Sequence, residues 1–165
     1  MQMGYSQEQS VYDSYVGTWK WVDEKTDSEF MIILKKSKAD WTKYNAGTAD
    51  CVVGVYKYKK EGVVIADNLD QISEHKEYNL FPVRLFPGRN HTRLSVTDFI
   101  VKNKYGHNKD MGGSSNVKLI QNTEGSSQMQ WTIVDDDSGH VYMDSNKAFP
   151  KGTSLPTNIV LTKVE

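Results

Sequence analysis

The sequence predicts an all-β fold, an antiparallel meander closed as a barrel of about 8–10 strands behind a short amino-terminal helix. Three observations predict it. The chain holds 16 Val, 8 Ile, 11 Thr and 18 aromatic residues against 5 Ala and 8 Leu. Side chains branched or ringed at Cβ fit a pleated sheet and lose rotamer freedom in a helix. Short apolar stretches also alternate with turn residues along the whole chain, as hairpin-linked strands require. Finally, Ser127–Val134 repeats with a period of two, Met129, Trp131 and Ile133 alternating with Gln128, Gln130 and Thr132, which buries one face and wets the other.

The elements follow in order. Ser6 can cap a first helix, Glu8 places negative charge in its first turn, and Val11, Tyr15 and Val16 supply a partial apolar stripe that Gly17 ends. Thr18–Asp23 is a strand, Glu24–Asp27 a turn, and Phe30–Lys35 a second strand. Cys51–Lys59 is a third, in which Gly54 marks a bulge or a close backbone approach. Glu61-Gly62 is a tight turn into Val63–Ala66. Leu94–Val101, Val117–Gln121 and Ser127–Val134 follow. Asp135–Gly139 then turns into His140–Met143, and Asn158–Val164, entered through Pro156, is the last strand. Two stretches carry no strand expectation: Leu80–Arg93, with two prolines and a Pro-Gly turn, and the polar Asn103–Asn116. The 165 residues are expected to divide into a lead-in with its helix over 1–16 and a single barrel domain over 17–165.

Charge and chemistry narrow the function classes. Twenty basic against 21 acidic residues leave a net charge of −1, which argues against nucleic acid as partner. No run of 18 apolar residues is present, so no membrane span is expected. Cys51 stands alone, so no internal disulfide forms. His75, His91, His107 and His140 have no ligand spacing, and Asp135–Asp137 before Ser138-Gly139 is hairpin chemistry, so no metal or cofactor is expected. No nucleophile motif or phosphate loop occurs, and the chain is expected not to be an enzyme. Lys57, Lys59 and Lys60 with Lys35, Lys36 and Lys38 read as strand-edge guards before they read as a basic patch.

Tyr-Val-Gly-Thr-Trp-Lys-Trp-Val at residues 15–22, a helix leading into Gly-x-Trp on the first strand, resembles the calycin group of lipocalins and fatty-acid-binding proteins. The resemblance implies that Gly17 and Trp19 close one end of a barrel. It also implies that a basic side chain from the last strand, here Lys163 where Arg is more usual, lies across the indole. Together with Met31–Lys36, Val53–Gly62 and Leu155–Val164, the same stretch is similar to a family of small, exported, lipocalin-like bacterial proteins without assigned function. That likeness implies fold and export, and supplies no catalytic residue. The resemblance implies a secreted or periplasmic location, while the first residues show no leader and leave a cytoplasmic one open.

Two functions are therefore expected. The first is a non-enzymatic binder of a small apolar or amphipathic ligand, with Trp21, Tyr56, Tyr58 and Trp131 in the barrel mouth and Phe86 and Tyr105 on rim loops. The second is a protein-interaction module, an inhibitor or exported accessory factor, whose barrel is filled and whose edge strand or loops meet a partner.

Overall fold

A computed structural model describes residues 11–88, 91–100, 109–111, 114–120, 127–134 and 153–164. Residues 11–15 are helical. Ten strands follow: β1 (Gly17–Asp23), β2 (Ser28–Asp40), β3 (Thr48–Lys60), β4 (Val63–Asp67), β5 (Val83–Pro87), β6 (Thr92–Asp98), β7 (Lys109–Met111), β8 (Asn116–Ile120), β9 (Gln128–Thr132) and β10 (Asn158–Lys163).

Eight of them close into an antiparallel barrel. The hydrogen-bonded order runs β2, β1, β10, β9, β8, β6, β5, β3, and β3 pairs back to β2. β4 extends the sheet beyond β3, and β7 pairs with β6. The longest ladder joins β2 to β3 from Glu29↔Lys59 to Asp40↔Thr48, so this hairpin projects past the ends of its neighbours. The second edge of β3 is shared: residues 52–54 pair with β5, and residues 57–60 with β4. Asn68 fills the junction, because its Oδ1 accepts from the Tyr56 amide at 2.8 Å while its own amide donates to Tyr56 O at 3.0 Å. A side chain there completes the ladder where no strand reaches.

β5 and β7 lie in the two stretches without a strand expectation. β5 is bracketed by its prolines: Pro82 precedes it and Pro87 ends it, and neither removes a donor from the middle of the ladder. β6 stops at Asp98 rather than Val101, since Asp98 Oδ1 accepts from the Ile100 amide at 3.0 Å and turns the chain. The turn over Asp135–Gly139, the strand over His140–Met143, and the cap and acidic turn at Ser6 and Glu8 lie outside the described residues.

Close approach explains Gly54, which faces Leu34 across the ladder. A Cβ there would lie 2.2 Å from Ile33 O and 2.6 Å from Leu34 Cδ2, so no side chain fits. The ladder irregularity on β3 falls instead at Tyr58/Lys59.

The core has two layers. Inside the barrel, Trp19, Phe30, Ile32, Leu34, Val52, Tyr56, Val83, Leu85, Leu94, Val96, Met129, Trp131 and Leu161 form one buried cluster. Outside β2, β3 and β5 a strap with single-turn helices at Leu69–Ser73 and Tyr78–Leu80 covers a second cluster of Ala39, Cys51, Val53, Val55 and Phe81. Lys35 fastens the strap by donating to Ile72 O and Glu74 O, and its ammonium lies 4.7 Å from the Phe81 ring centroid. β3 is thereby buried on both faces from Cys51 to Tyr56.

Candidate functional site

Three places carry the residues singled out by sequence: the barrel interior, the start of β1 and the strapped outer face. Alternation sets the interior. Phe30 on β2 and Tyr56 and Tyr58 on β3 point inward, and Phe30 meets Trp131 from β9. The Phe30 ring lies 5.7 Å from Tyr56, 5.6 Å from Tyr58 and 5.2 Å from Trp131, the last two edge-on. Phe30, Tyr56 and Trp131 are each 0% exposed. Both polar handles are engaged: Tyr56 Oη donates to Thr97 O at 2.7 Å and accepts from the Phe99 amide at 3.2 Å, and Trp131 Nε1 donates to Pro156 O at 2.9 Å. Burial drives the Tyr56 hydroxyl pKa upward, with the Phe99 amide opposing and the Asp98 charge adding. Burial also raises that of Tyr58, with Glu61 adding to it. Trp21 is only partly buried against this cluster.

At the start of β1, Gly17 takes φ +134°, a conformation open to glycine, and swings the chain from helix into β1. Trp19 is fully buried, its Nε1 donating to Tyr15 O at 2.9 Å, and Lys163 Nζ lies 5.7 Å from its ring centroid. The backbone register sets that pair directly opposite, Trp19↔Lys163. Tyr15 ties the helix down through a 2.6 Å hydrogen bond to Thr92 Oγ1.

Phe86 is not on a rim loop. It sits on β5 and, by alternation with Val83 and Leu85, faces outward into the strapped cluster, with Tyr78 at 6.1 Å and the Arg93 guanidinium at 5.0 Å. Tyr105 lies outside the described residues. The lysines do not converge on Tyr56 and Tyr58, which point inward. Lys59 pairs with Asp27 at 2.8 Å, Lys36 pairs with Asp13, and Lys35 is spent on the strap. Among the described residues no cluster of His, Cys, Asp and Glu could hold a metal ion, and no helix is long and apolar enough to cross a membrane. His107 and His140 and the Asp135–Asp137 run lie outside the described residues.

A site that sequence spacing gave no hint of lies where the projecting β2–β3 hairpin meets the strap. A surface cleft of about 240 Å³ is lined by Lys38, Asp40, Thr42, Lys43, Glu77 and Tyr78. Asp40 Oδ1 accepts from the Thr42 amide at 2.9 Å and Thr42 Oγ1 at 2.7 Å. Those bonds, the side-chain one foremost, together with the charge of Lys43, hold its carboxyl below the usual range. Trp41 Nε1 donates to Tyr78 Oη at 2.9 Å, and the two rings meet edge-on at 5.9 Å. Residues 38–43 and 77–78 are brought together only by the strap crossing the sheet.

Compared with known protein families, residues 2–164 match the model of a family of unknown function, DUF6705, and the chain belongs to that family. Comparison with curated proteins and with solved structures returned no match.

Proposed function

For this member of a family without assigned function, we propose a non-enzymatic protein-interaction module that works through the outside of a filled barrel. One observation carries the reading. The place where a carrier would hold its ligand is occupied by Phe30, Tyr56 and Trp131, each 0% exposed and in ring contact. Rings in mutual contact and with no exposed surface leave no room for a guest unless they move. A small apolar or amphipathic ligand inside the barrel, bound by Trp21, Tyr56, Tyr58 and Trp131, is therefore the second reading, and it requires that cluster to open.

The outer surface supports the first reading. β4 takes no strand on its second edge among the described residues, and Val63 and Val64 on it are 61% and 49% exposed. Unpaired backbone donors and acceptors beside apolar side chains suit an extended segment of a partner protein added as a further strand. By resemblance to exported proteins, the same proposal places the protein outside the cytoplasm. Its detection only in the cytosolic fraction of its own cell would overturn that part.

The test is chemical cross-linking in the source cell, comparing the natural chain with Val64→Lys. A partner captured by the first and lost with the second, at equal thermal stability, is the expected outcome. Native mass spectrometry that finds one apolar molecule per purified chain, with tryptophan fluorescence quenched at that stoichiometry by added fatty acid, overturns the reading in favour of the carrier.

A further inference from the structure

We propose that the cleft between the β2–β3 hairpin and the strap binds a small zwitterion, a free amino acid or another molecule carrying an ammonium and a carboxylate a few ångströms apart. The proposal is independent of the strand-edge reading, since it concerns another face and another class of ligand.

The charges in the cleft carry the inference. Of its four charged side chains Asp40 is held by hydrogen bonds, and Lys43 is drawn toward Asp40 and the Tyr44 ring. Asp40 caps the turn after β2 through Thr42, and Lys43 lies close enough to favour its ionised form, with its own ammonium 5.1 Å from the Tyr44 ring centroid. Lys38 comes from β2 and Glu77 from the strap, and among the described residues neither side chain makes a hydrogen bond or an ion pair. An ammonium and a carboxylate that line one cleft without meeting each other leave both a cationic and an anionic half-site. A lone anion would satisfy Lys38 and be repelled by Glu77 and Asp40, and a lone cation would meet the reverse. A ligand bearing both charges satisfies both, and the two-plus, two-minus lining leaves no net field to favour a simple ion.

Size and polarity agree. A cleft of about 240 Å³ lies below the range of drug-sized pockets and suits a small ligand. Two hydroxyl groups line the cleft as well. Tyr78 Oη accepts from Trp41 Nε1, which leaves its own proton free to donate, and the Trp41 and Phe86 rings on either side fix its ring in place. The unused Asp40 Oδ2 adds a second acceptor on the ammonium side. The lining is solvent-exposed apart from half-buried Tyr78, so both ion pairs are screened, and at up to about 1 kcal/mol each they set affinity on the order of tens of millimolar.

The test is amide NMR of the full chain titrated with glycine, with acetate and with methylammonium at constant ionic strength. Glycine is expected to shift the amides of Lys38, Asp40, Thr42, Lys43, Glu77 and Tyr78 saturably, and acetate and methylammonium each to bind about fivefold more weakly, having one ion pair instead of two. Lys38→Met and Glu77→Gln are each expected to weaken glycine about fivefold with the rest of the spectrum unchanged. Both positions are exposed, so folding is not at stake. Absence of localised shifts with glycine, equal response to all three probes, or indifference to both substitutions overturns the proposal. None of these outcomes bears on Val64 or on cross-linking.

Discussion

Truncating Phe30 to alanine measures how full the barrel is, the property on which the functional reading rests. The ring is completely buried and is met by three others at 5.2–5.7 Å. Its removal forfeits the transfer free energy of the phenyl group, leaves a cavity that the closed sheet cannot collapse around, and deletes three aromatic contacts. Phe→Ala at such a site costs about 3–5 kcal/mol. Against a total stability on the order of 5–15 kcal/mol, the variant is expected to remain folded but markedly weakened. At about 2–4 °C per kcal/mol for a chain of this length, a loss near 4 kcal/mol lowers Tm by roughly 8–16 °C. Urea unfolding followed by tryptophan fluorescence gives the difference from the midpoint shift at constant m. The new void should also bind benzene, seen as a benzene-dependent rise in Tm that the natural chain does not show. If Phe30→Ala does not fold, Phe30→Leu serves, with a smaller loss in the same direction. A loss under about 1 kcal/mol, or benzene stabilising the natural chain equally, would mean that space already adjoins the ring, and the reasoning from a filled interior fails.

Two further outcomes follow from the packing. Gly54→Ala sets a Cβ 2.2 Å from a backbone oxygen of β2, an obstacle that cannot rotate away. A loss of about 3 kcal/mol or more is expected by urea unfolding, and a change within about 0.5 kcal/mol would refute the close approach. In alkali the buried acids act together. Burial, with Asp50 adding, pushes the Cys51 thiol up to about 11 from an ordinary 9.0, and burial holds the Tyr56 hydroxyl well above its ordinary 10.0. Unfolded, both groups release protons that the folded chain keeps, so stability falls as pH rises, from pH 9 for Cys51 and from pH 10 for Tyr56. The Tyr56 contribution alone approaches about 1.4 kcal/mol per pH unit. A urea midpoint unchanged between pH 9 and pH 11 would contradict both assignments.

What the sequence made legible was whatever obeys a local rule. The period of two in Ser127–Val134 places Met129 and Trp131 inside β9, and Glu61-Gly62 turns β3 into β4. Other features were hidden for physical reasons. The strap buries the outer face of β3, so Cys51–Tyr56 reads as one apolar run, and nothing in its alternation tells Val52, which joins the interior cluster, from Val53, which joins the strapped cluster with Phe81. β5 is disguised by prolines that the fold tolerates because they fall at the strand's two ends. Phe86 was misplaced for the same reason: without β5, Leu80–Arg93 reads as a loop, and a ring on a loop suggests a rim.

The strap is the common cause of what was hidden and of the site. A segment that seals the outside of β2, β3 and β5 must cross the end of the projecting hairpin, because that hairpin outruns the neighbouring strands by several residues. Where it crosses, Trp41 and Tyr78 lock ring to ring, and the side chains beside them, Lys38 and Glu77, are left facing one cleft without a partner. No spacing rule connects position 38 to position 77, since their proximity depends on Lys35 holding Ile72 and Glu74 and on Phe81 sitting against Val53 and Val55. The interior, by contrast, is set by strand alternation alone. The outer site is thus the least legible in sequence and the most dependent on tertiary packing. A change to the strap's seat at Lys35 or Phe81 would take the cleft apart while leaving the eight-strand ring closed.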